Sequence, residues 1–128
     1  MRLFNTLVFD EYLYGPSIRY TLSEHNAQLG LADHFSIFMV ASETTGTLSA
    51  QIIVFLETSP DERNWVEVID IGAFTLTPGA TKSYELFWAT TTMGYSAFVR
   101  LRFWLFGSPS ATRLKAWVAG RADRYQTL

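Results

Sequence analysis

The two histidines are the first side chains in this sequence that could support metal or acid–base chemistry. To hold a metal, His25 and His34 would have to converge with Glu24 or Asp33, and their spacing matches no established zinc pattern. The sequence has no cysteine, which excludes thiolate ligands, thiolate nucleophiles and disulfides. The segment 94–97 (GYSA) lacks the second glycine of a serine nucleophile elbow. We therefore predict no metal site and no cofactor.

Two groups of carboxylates could also do chemistry. A calcium ion could be bound through loop oxygens by Glu57, Asp61 and Glu62, although a solvated turn is the simpler interpretation. A carboxylate pair for hydrolysis could come from Glu67, Asp70 and Glu85 on neighbouring strands, although an outer face paired with Arg or Lys is simpler. The sequence contains no glycine-rich phosphate loop. We predict that the protein is not an enzyme.

The strongest functional signal is a row of cations and indoles in the segment 97–121. Its apolar residues alternate with polar or aromatic ones on both sides of 107–110 (GSPS), which predicts two strands joined by a tight turn. The outward row, which we call the Arg/Trp ladder, is Arg100, Arg102, Trp104, Arg113, Lys115 and Trp117. A symmetric hairpin places Trp104 opposite Arg113, Arg102 opposite Lys115, and Arg100 opposite Trp117. A guanidinium over an indole contributes roughly 0.5–1 kcal/mol when exposed. The ladder predicts a contact surface for another protein subunit. The alternative is an exposed row whose cations and indoles contact only one another and keep the sheet soluble.

The charge of the chain is unevenly distributed. Residues 1–64 carry three basic and eight acidic side chains, and residues 65–128 carry seven and four, within a net charge of −2. This balance does not predict nucleic-acid binding, which favours a strongly basic domain. Because buried cations need counter-charges, we expect the partner surface to be acidic or aromatic. The acidic candidates on a neighbouring copy are Asp10, Glu11, Glu57 and Asp61.

Turn signals recur at short intervals between alternating stretches along the whole chain. The predicted strands are 2–9, 17–22, 34–42, 48–58, 65–76 with a bend at Gly72, 81–89, 97–106 and 113–119. The segment 10–16 is predicted as a loop, and 23–33 fits either a helical turn or a short strand. About eight such strands indicate an all-β fold, a single antiparallel β-sandwich of jelly-roll-like or Ig-like type. Two inward rows are predicted to share one core: Ile52, Val54 and Leu56, and Val99, Leu101 and Phe103.

Length and composition are those of one domain. The 128 residues predict a single sandwich, with 1–16 as a possible N-terminal strand or arm and 122–128 as a polar tail. No signal peptide is recognisable, and no stretch reaches the ~20 apolar residues of a membrane helix. Aromatic residues make up 16% of the chain, more than we expect a core alone to use. That excess, the opposite charges of the two halves and the apolar outward residues Ile53 and Phe55 predict self-association into a homo-oligomer. We expect no membrane or nucleic-acid partner.

Several motifs occur in a familiar order. The run 52–61 (IIVFLETSPD), followed by Asn64-Trp65, resembles a signature in small β-sandwich structural proteins of tailed-phage and prophage particles. The segments 98–101 (FVRL) and 117–121 (WVAGR) lie where that pattern has its last two strands. The chain departs from the pattern at Glu62-Arg63, where the turn usually has a glycine. The resemblance implies a trimeric head decoration, head-fibre or minor capsid protein that is assembled into a virion in the host cytoplasm. It also implies a capsid or shell protein as a second partner.

A second function fits the same residues. In a carbohydrate-binding sandwich, Trp104 and Trp117 would stack on sugar rings. A sugar platform usually places Asp, Asn or Gln beside its aromatic residues, whereas the ladder offers mostly cations. We therefore favour the structural function and keep carbohydrate binding as the alternative.

Overall fold

The computed structural model of this protein describes residues 2–31, 34–46, 50–89 and 97–122. Over these residues the chain forms strands β1 (Arg2–Tyr20), β2 (His34–Gly46), β3 (Gln51–Ser59), β4 (Val66–Thr75), β5 (Lys82–Ala89) and β6 (Phe98–Ala122). A 3-10 turn (Ser23–His25) and the helix α1 (Asn26–Leu31) occupy the segment whose type the sequence left open. The predicted all-β, antiparallel architecture is confirmed. The predicted polar tail lies, except for Ala122, outside the described residues.

Two long strands organise the sheet. β1 and β6 pair antiparallel along their lengths. The other edge of β6 is shared, because β3 pairs with 98–106 and β2 pairs with 110–121. β4 then extends the sheet beyond β3, and β5 extends it beyond β2. We call the half that contains β4, β3 and 98–106 layer one, and the half that contains β5, β2 and 110–121 layer two.

The two layers are joined by a bend, and the tight hairpin predicted at 107–110 is wrong. β1 pairs Gly15 with Ser110 but Ser17 with Leu105, so the extra residues of β6 form a large bulge. Gly107 has a φ of +119°, and a Cβ added there would lie 2.9 Å from the Cα of Ala50. Glycine and proline signals therefore mark the bend in both strands, and the predicted loop at 10–16 is continuous strand. Turn residues alone cannot distinguish a hairpin from a bend when a third strand holds both halves.

The core lies between the two layers. All six residues of the predicted inward rows are fully buried, which confirms that they share one core. Phe9 of layer two contacts Phe103 of layer one, with ring centroids 4.8 Å apart. Phe74 on β4 stacks on Tyr84 on β5 with a centroid distance of 3.8 Å, so the outer strands of the two layers also face each other. In the described part of the chain, no helix has the length and apolarity needed to cross a membrane.

Candidate functional site

The bend divides the Arg/Trp ladder between two faces of the molecule. Alternate residues of β6 are buried in both layers, so the ladder residues point outward from each. Because the core lies between the layers, the set on 100–104 and the set on 113–117 face away from each other. The predicted pairs across a hairpin are therefore wrong. The neighbours of Arg102 are Phe55 on β3 and Tyr20 on β1.

On the outer face of layer one, the cations stack on aromatic rings other than the predicted ones. The guanidinium carbon of Arg100 lies 3.8 Å from the ring centroid of Tyr20 and 4.2 Å from that of Trp65. The guanidinium carbon of Arg102 lies 4.1 Å from the ring centroid of Phe55. Such contacts are strongest when the cation is partly desolvated. The predicted stacking of cations on rings is present, but its rings come from β1, β3 and the residue before β4.

Two carboxylates neutralise these cations within the chain. Glu57 is only 6% exposed and accepts hydrogen bonds from Arg100 Nε at 2.7 Å and Arg102 Nη1 at 2.9 Å. Arg102 Nη2 also donates to Glu67 at 2.8 Å. Charge-assisted bonds of this length are the strong class of hydrogen bond. The two cations and two carboxylates form a connected network with no net charge.

An apolar margin adjoins this network. Trp104 stacks on Phe55 with a centroid distance of 6.4 Å and meets Phe106 edge-on at 5.3 Å. Beside it, Phe106 is 50% exposed, Ile18 45% and Tyr20 40%. We call this surface the cation–aromatic face: Ile18, Tyr20, Phe55, Glu57, Trp65, Glu67, Arg100, Arg102, Trp104 and Phe106. It combines a neutral, ordered ionic network with exposed apolar side chains, a composition typical of protein contact surfaces.

On the outer face of layer two, the remaining ladder residues have different neighbours. Arg113 pairs with Asp10, with Nε and Oδ1 3.3 Å apart, and this hydrogen bonding raises the pKa of Arg113. The ring of Trp117 packs against Phe38 on β2, with centroids 6.1 Å apart and planes inclined by 52°. Lys115 lies on β6 opposite Asp10 on β1. Trp104 and Trp117, the residues considered for stacking on sugar rings, therefore lie on different faces and cannot contact one ligand side by side.

Three of the four predicted acidic counter-charges are engaged inside the chain. Glu57 forms ion pairs with the arginines of its own layer, and Asp10 forms an ion pair with Arg113. Asp61 accepts hydrogen bonds within its own loop, and Glu11 is exposed. The layer-one arginines thus have carboxylate partners within their own chain, and an acidic or aromatic partner surface stays a prediction.

The other candidate acid groups do not converge among the described residues. Glu67 is engaged by Arg102, while Asp70 accepts a hydrogen bond from the Gly72 N–H at 3.0 Å. Glu85 lies on β5 of the other layer. Glu62 accepts from the Asn26 amide at 3.2 Å. Within the described ranges, no three His, Asp or Glu side chains lie close enough to hold a metal. The segment 94–97, which lacks the second glycine of a nucleophile elbow, lies outside those ranges except for Ala97.

Asp61 organises the loop before Trp65. The backbone N–H groups of Asn64 and Arg63 donate to Oδ1 at 2.9 Å, and the Asn64 amide donates to Oδ2 at 2.7 Å. Ser59 Oγ donates to the same carboxylate at 3.0 Å. These hydrogen bonds hold the pKa of Asp61 well below its usual range. The ionised carboxylate therefore fixes the loop that leads into Trp65.

The lowered pKa of Asp61 predicts a loss of stability in acid. A depressed folded-state pKa gives stability that is present above the ordinary pKa of about 3.9 and is lost as pH falls toward the folded value. We expect the wild type to lose more stability than Asp61→Asn between about pH 5 and about pH 2, measured by urea unfolding. Glu11→Gln, which removes an exposed carboxylate, is the control. Equal slopes for Asp61→Asn and wild type would contradict this role of the loop.

Comparison with known proteins shows the fold and no family. No protein-family model matches the sequence, and no curated protein matches it. A similar solved structure is that of the Clostridium thermocellum endo-1,4-beta-D-xylanase 10B CBM22-1–GH10 modules complexed with xylohexaose, with a TM-score of 0.55 and 7% identity. The match covers 94% of this chain, which spans only 26% of that one. This likeness extends to the fold alone.

Two further solved structures are more distant. A family 16 carbohydrate-binding module has a TM-score of 0.40 and 11% identity, over 82% of this chain and 71% of that one. A nora virus structure has a TM-score of 0.38 and 11% identity, over 95% of this chain and 59% of that one. The similar structures thus include both carbohydrate-binding modules and a virus protein, and they favour neither function.

Proposed function

We propose that this protein is a non-enzymatic structural or assembly protein that acts by protein–protein contact through the cation–aromatic face. One observation carries the proposal: Arg100 and Arg102 are stacked on rings and neutralised by Glu57 and Glu67 beside an exposed apolar margin. Tryptophan, tyrosine and arginine are the residues that most often dominate binding energy at protein interfaces.

Pre-organisation makes this face suitable for a protein partner. The side chains of Arg100 and Arg102 are only 20% and 23% exposed, so much of their desolvation has already occurred on folding. Their ion pairs fix both side chains, which lowers the entropy lost on binding. Trp104 and Phe106 then supply apolar area that a partner can cover.

The partner we propose is another copy of the chain. A face without net charge does not repel its own copy, and its aromatic margin can pack on an apolar surface without acidic groups. Self-association is the proposal; the trimer stays a prediction that rests on the resemblance to phage proteins. A capsid or shell protein is the second protein partner that the resemblance suggests.

The resemblance also suggests where the protein acts. We propose a component of phage-type particles, of the capsid decoration or minor head class, assembled in the host cytoplasm. The motif that carries this resemblance has a structural role here, because Ser59, Asp61 and Asn64 fix the loop whose next residue, Trp65, stacks on Arg100. The motif therefore supports the geometry of the proposed contact face.

Removing the apolar margin is expected to abolish assembly. We expect wild-type protein at tens of micromolar to sediment above the 14.5 kDa of one chain. Trp104→Ala combined with Phe106→Ala should shift it to the monomer, because each truncation of a central aromatic residue costs about 2 kcal/mol of binding or more. Sedimentation equilibrium gives the mass, and circular dichroism confirms the fold.

The matched control is Trp117→Ala, which removes an indole from the opposite face and should leave the mass unchanged. A wild type that sediments only at 14.5 kDa, or a folded Trp104/Phe106 variant that assembles like the wild type, would overturn the proposal.

A further inference from the structure

The outer face of layer two carries a groove that the proposed assembly function does not use. Its volume is about 350 Å³, within the range of about 300–1,000 Å³ typical of small-molecule sites. The described residues that line it are Asn5, Ser36, Phe38, Glu85, Trp117 and Ala119. It lies on β1, β2, β5 and β6, on the side of the molecule away from the cation–aromatic face.

The strand register explains why a depression forms here. Asn5, Ala119 and Ser36 are opposite one another on β1, β6 and β2. The next outward row has Trp117 opposite Phe38. The small Ala119 side chain thus forms the bottom of the groove, and the large rings of Trp117 and Phe38 form one side of it. Asn5 and Ser36 flank Ala119 on the two neighbouring strands. The groove follows from neighbouring side chains of very different size on rigid strands.

The chemistry of the lining separates an apolar wall from a polar margin. The rings of Trp117 and Phe38 both line the groove, and their planes are inclined by 52°. Asn5 supplies an amide that both donates and accepts, Ser36 a hydroxyl, and Glu85 a carboxylate that accepts. In the described lining, Glu85 is the one ionisable group, and it disfavours anionic ligands such as phosphates.

We propose that this groove binds a neutral saccharide, with the apolar face of one pyranose ring against Trp117. The C–H groups on that face carry a small positive charge and suit the negative face of an aromatic ring. The hydroxyls at the ring edge need partners that donate and accept, which Asn5, Ser36 and Glu85 supply. A purely apolar ligand would leave these three polar groups unpaired, at a cost.

This site differs from the one in the alternative function considered from the sequence, which used Trp104 and Trp117. Of the cations counted against carbohydrate binding, Arg100 and Arg102 are on the other layer and Arg113 is paired with Asp10. Lys115 shares the outer face of layer two but is not among the described residues that line the groove. The polar groups beside Trp117 come from β1, β2 and β5, which sequence spacing alone could not bring together. The inference is independent of the proposed contact face.

Titration with neutral oligosaccharides tests the proposal. The probes are cellohexaose, chitohexaose, maltohexaose and mannohexaose, followed by calorimetry and by tryptophan fluorescence. We expect at least one to bind saturably, and Trp117→Ala to weaken that binding by about tenfold or more. Asn5→Ala and Glu85→Ala, both at exposed positions, should each weaken it about threefold and serve if Trp117→Ala does not fold.

Tyr14→Ala, which removes an aromatic side chain that is 69% exposed and does not line the groove, is the control and should bind like the wild type. The proposal is overturned if none of the four probes binds at concentrations on the order of 10 mM. It is also overturned if binding survives all three groove variants, or if these variants change the mass of the protein instead, which would make a second copy the occupant.

Discussion

Replacing Phe103 by alanine should lower the free energy of unfolding by about 3–5 kcal/mol. The ring is fully buried and contacts Phe9 of the other layer with centroids 4.8 Å apart, so its removal leaves a cavity between the layers. Closely packed strands on both sides limit how far the core can collapse into that space. Urea unfolding followed by circular dichroism measures the loss.

Phe106→Ala is the matched control for this change. It removes the same side chain from the same strand, but from an outward position that is 50% exposed. We expect it to cost about 1 kcal/mol or less. A soluble, folded Phe103→Ala protein with an unchanged melting temperature would contradict the inward register of β6.

The second large effect is expected at Glu57. Glu57→Ala leaves Arg100 and Arg102, both mostly buried, without their shared carboxylate. Removing one partner of a buried ion pair lowers the free energy of unfolding by about 3–5 kcal/mol. Because the two guanidiniums are still partly exposed to solvent, we expect a loss of about 3 kcal/mol for Glu57→Ala. Equilibrium unfolding in urea at neutral pH measures it.

Glu67→Ala is the control that shows whether the loss of stability depends on the burial of the carboxylate or only on its removal. Glu67 binds the same Arg102 at 2.8 Å but is 46% exposed, so its loss should cost about 1 kcal/mol or less. Glu57→Gln, which keeps the shape and an acceptor oxygen, should fall between the two. If Glu57→Ala and Glu67→Ala were equally mild, Glu57 would not be the centre of the network.

The strand rows could be predicted from the sequence because alternation is a local property. Val99, Leu101 and Phe103 alternate with polar or aromatic residues whichever strands lie beside them. The bend could not be predicted in the same way. A Gly-Ser-Pro-Ser segment permits either a hairpin or a bulge, and the outcome depends on β1, which pairs with both halves of β6 from about 100 residues away.

The candidate site was predicted in its residue types but not in its partners. Stacking of Arg100 and Arg102 on aromatic rings occurs, yet the rings belong to Tyr20, Trp65 and Phe55, which only cross-strand register brings near. One signal was present in the sequence, since Ile53 and Phe55 make the outward row of β3 too apolar for plain exposure. In the structure, side chains of the same chain cover part of this row, because Arg102 and Trp104 pack over Phe55.

Hydroxyl-radical footprinting of the wild-type protein tests the role of the cation–aromatic face most directly. Labelling at tens of micromolar is compared with labelling after dilution to the monomer, with mass spectrometry to locate the modified residues. We predict that Trp104, Phe106 and Tyr20 are protected in the concentrated sample, while Trp117 and Phe38 are labelled equally in both. Equal labelling of Trp104 and Phe106 at both concentrations, or protection confined to Trp117 and Phe38, would contradict this prediction.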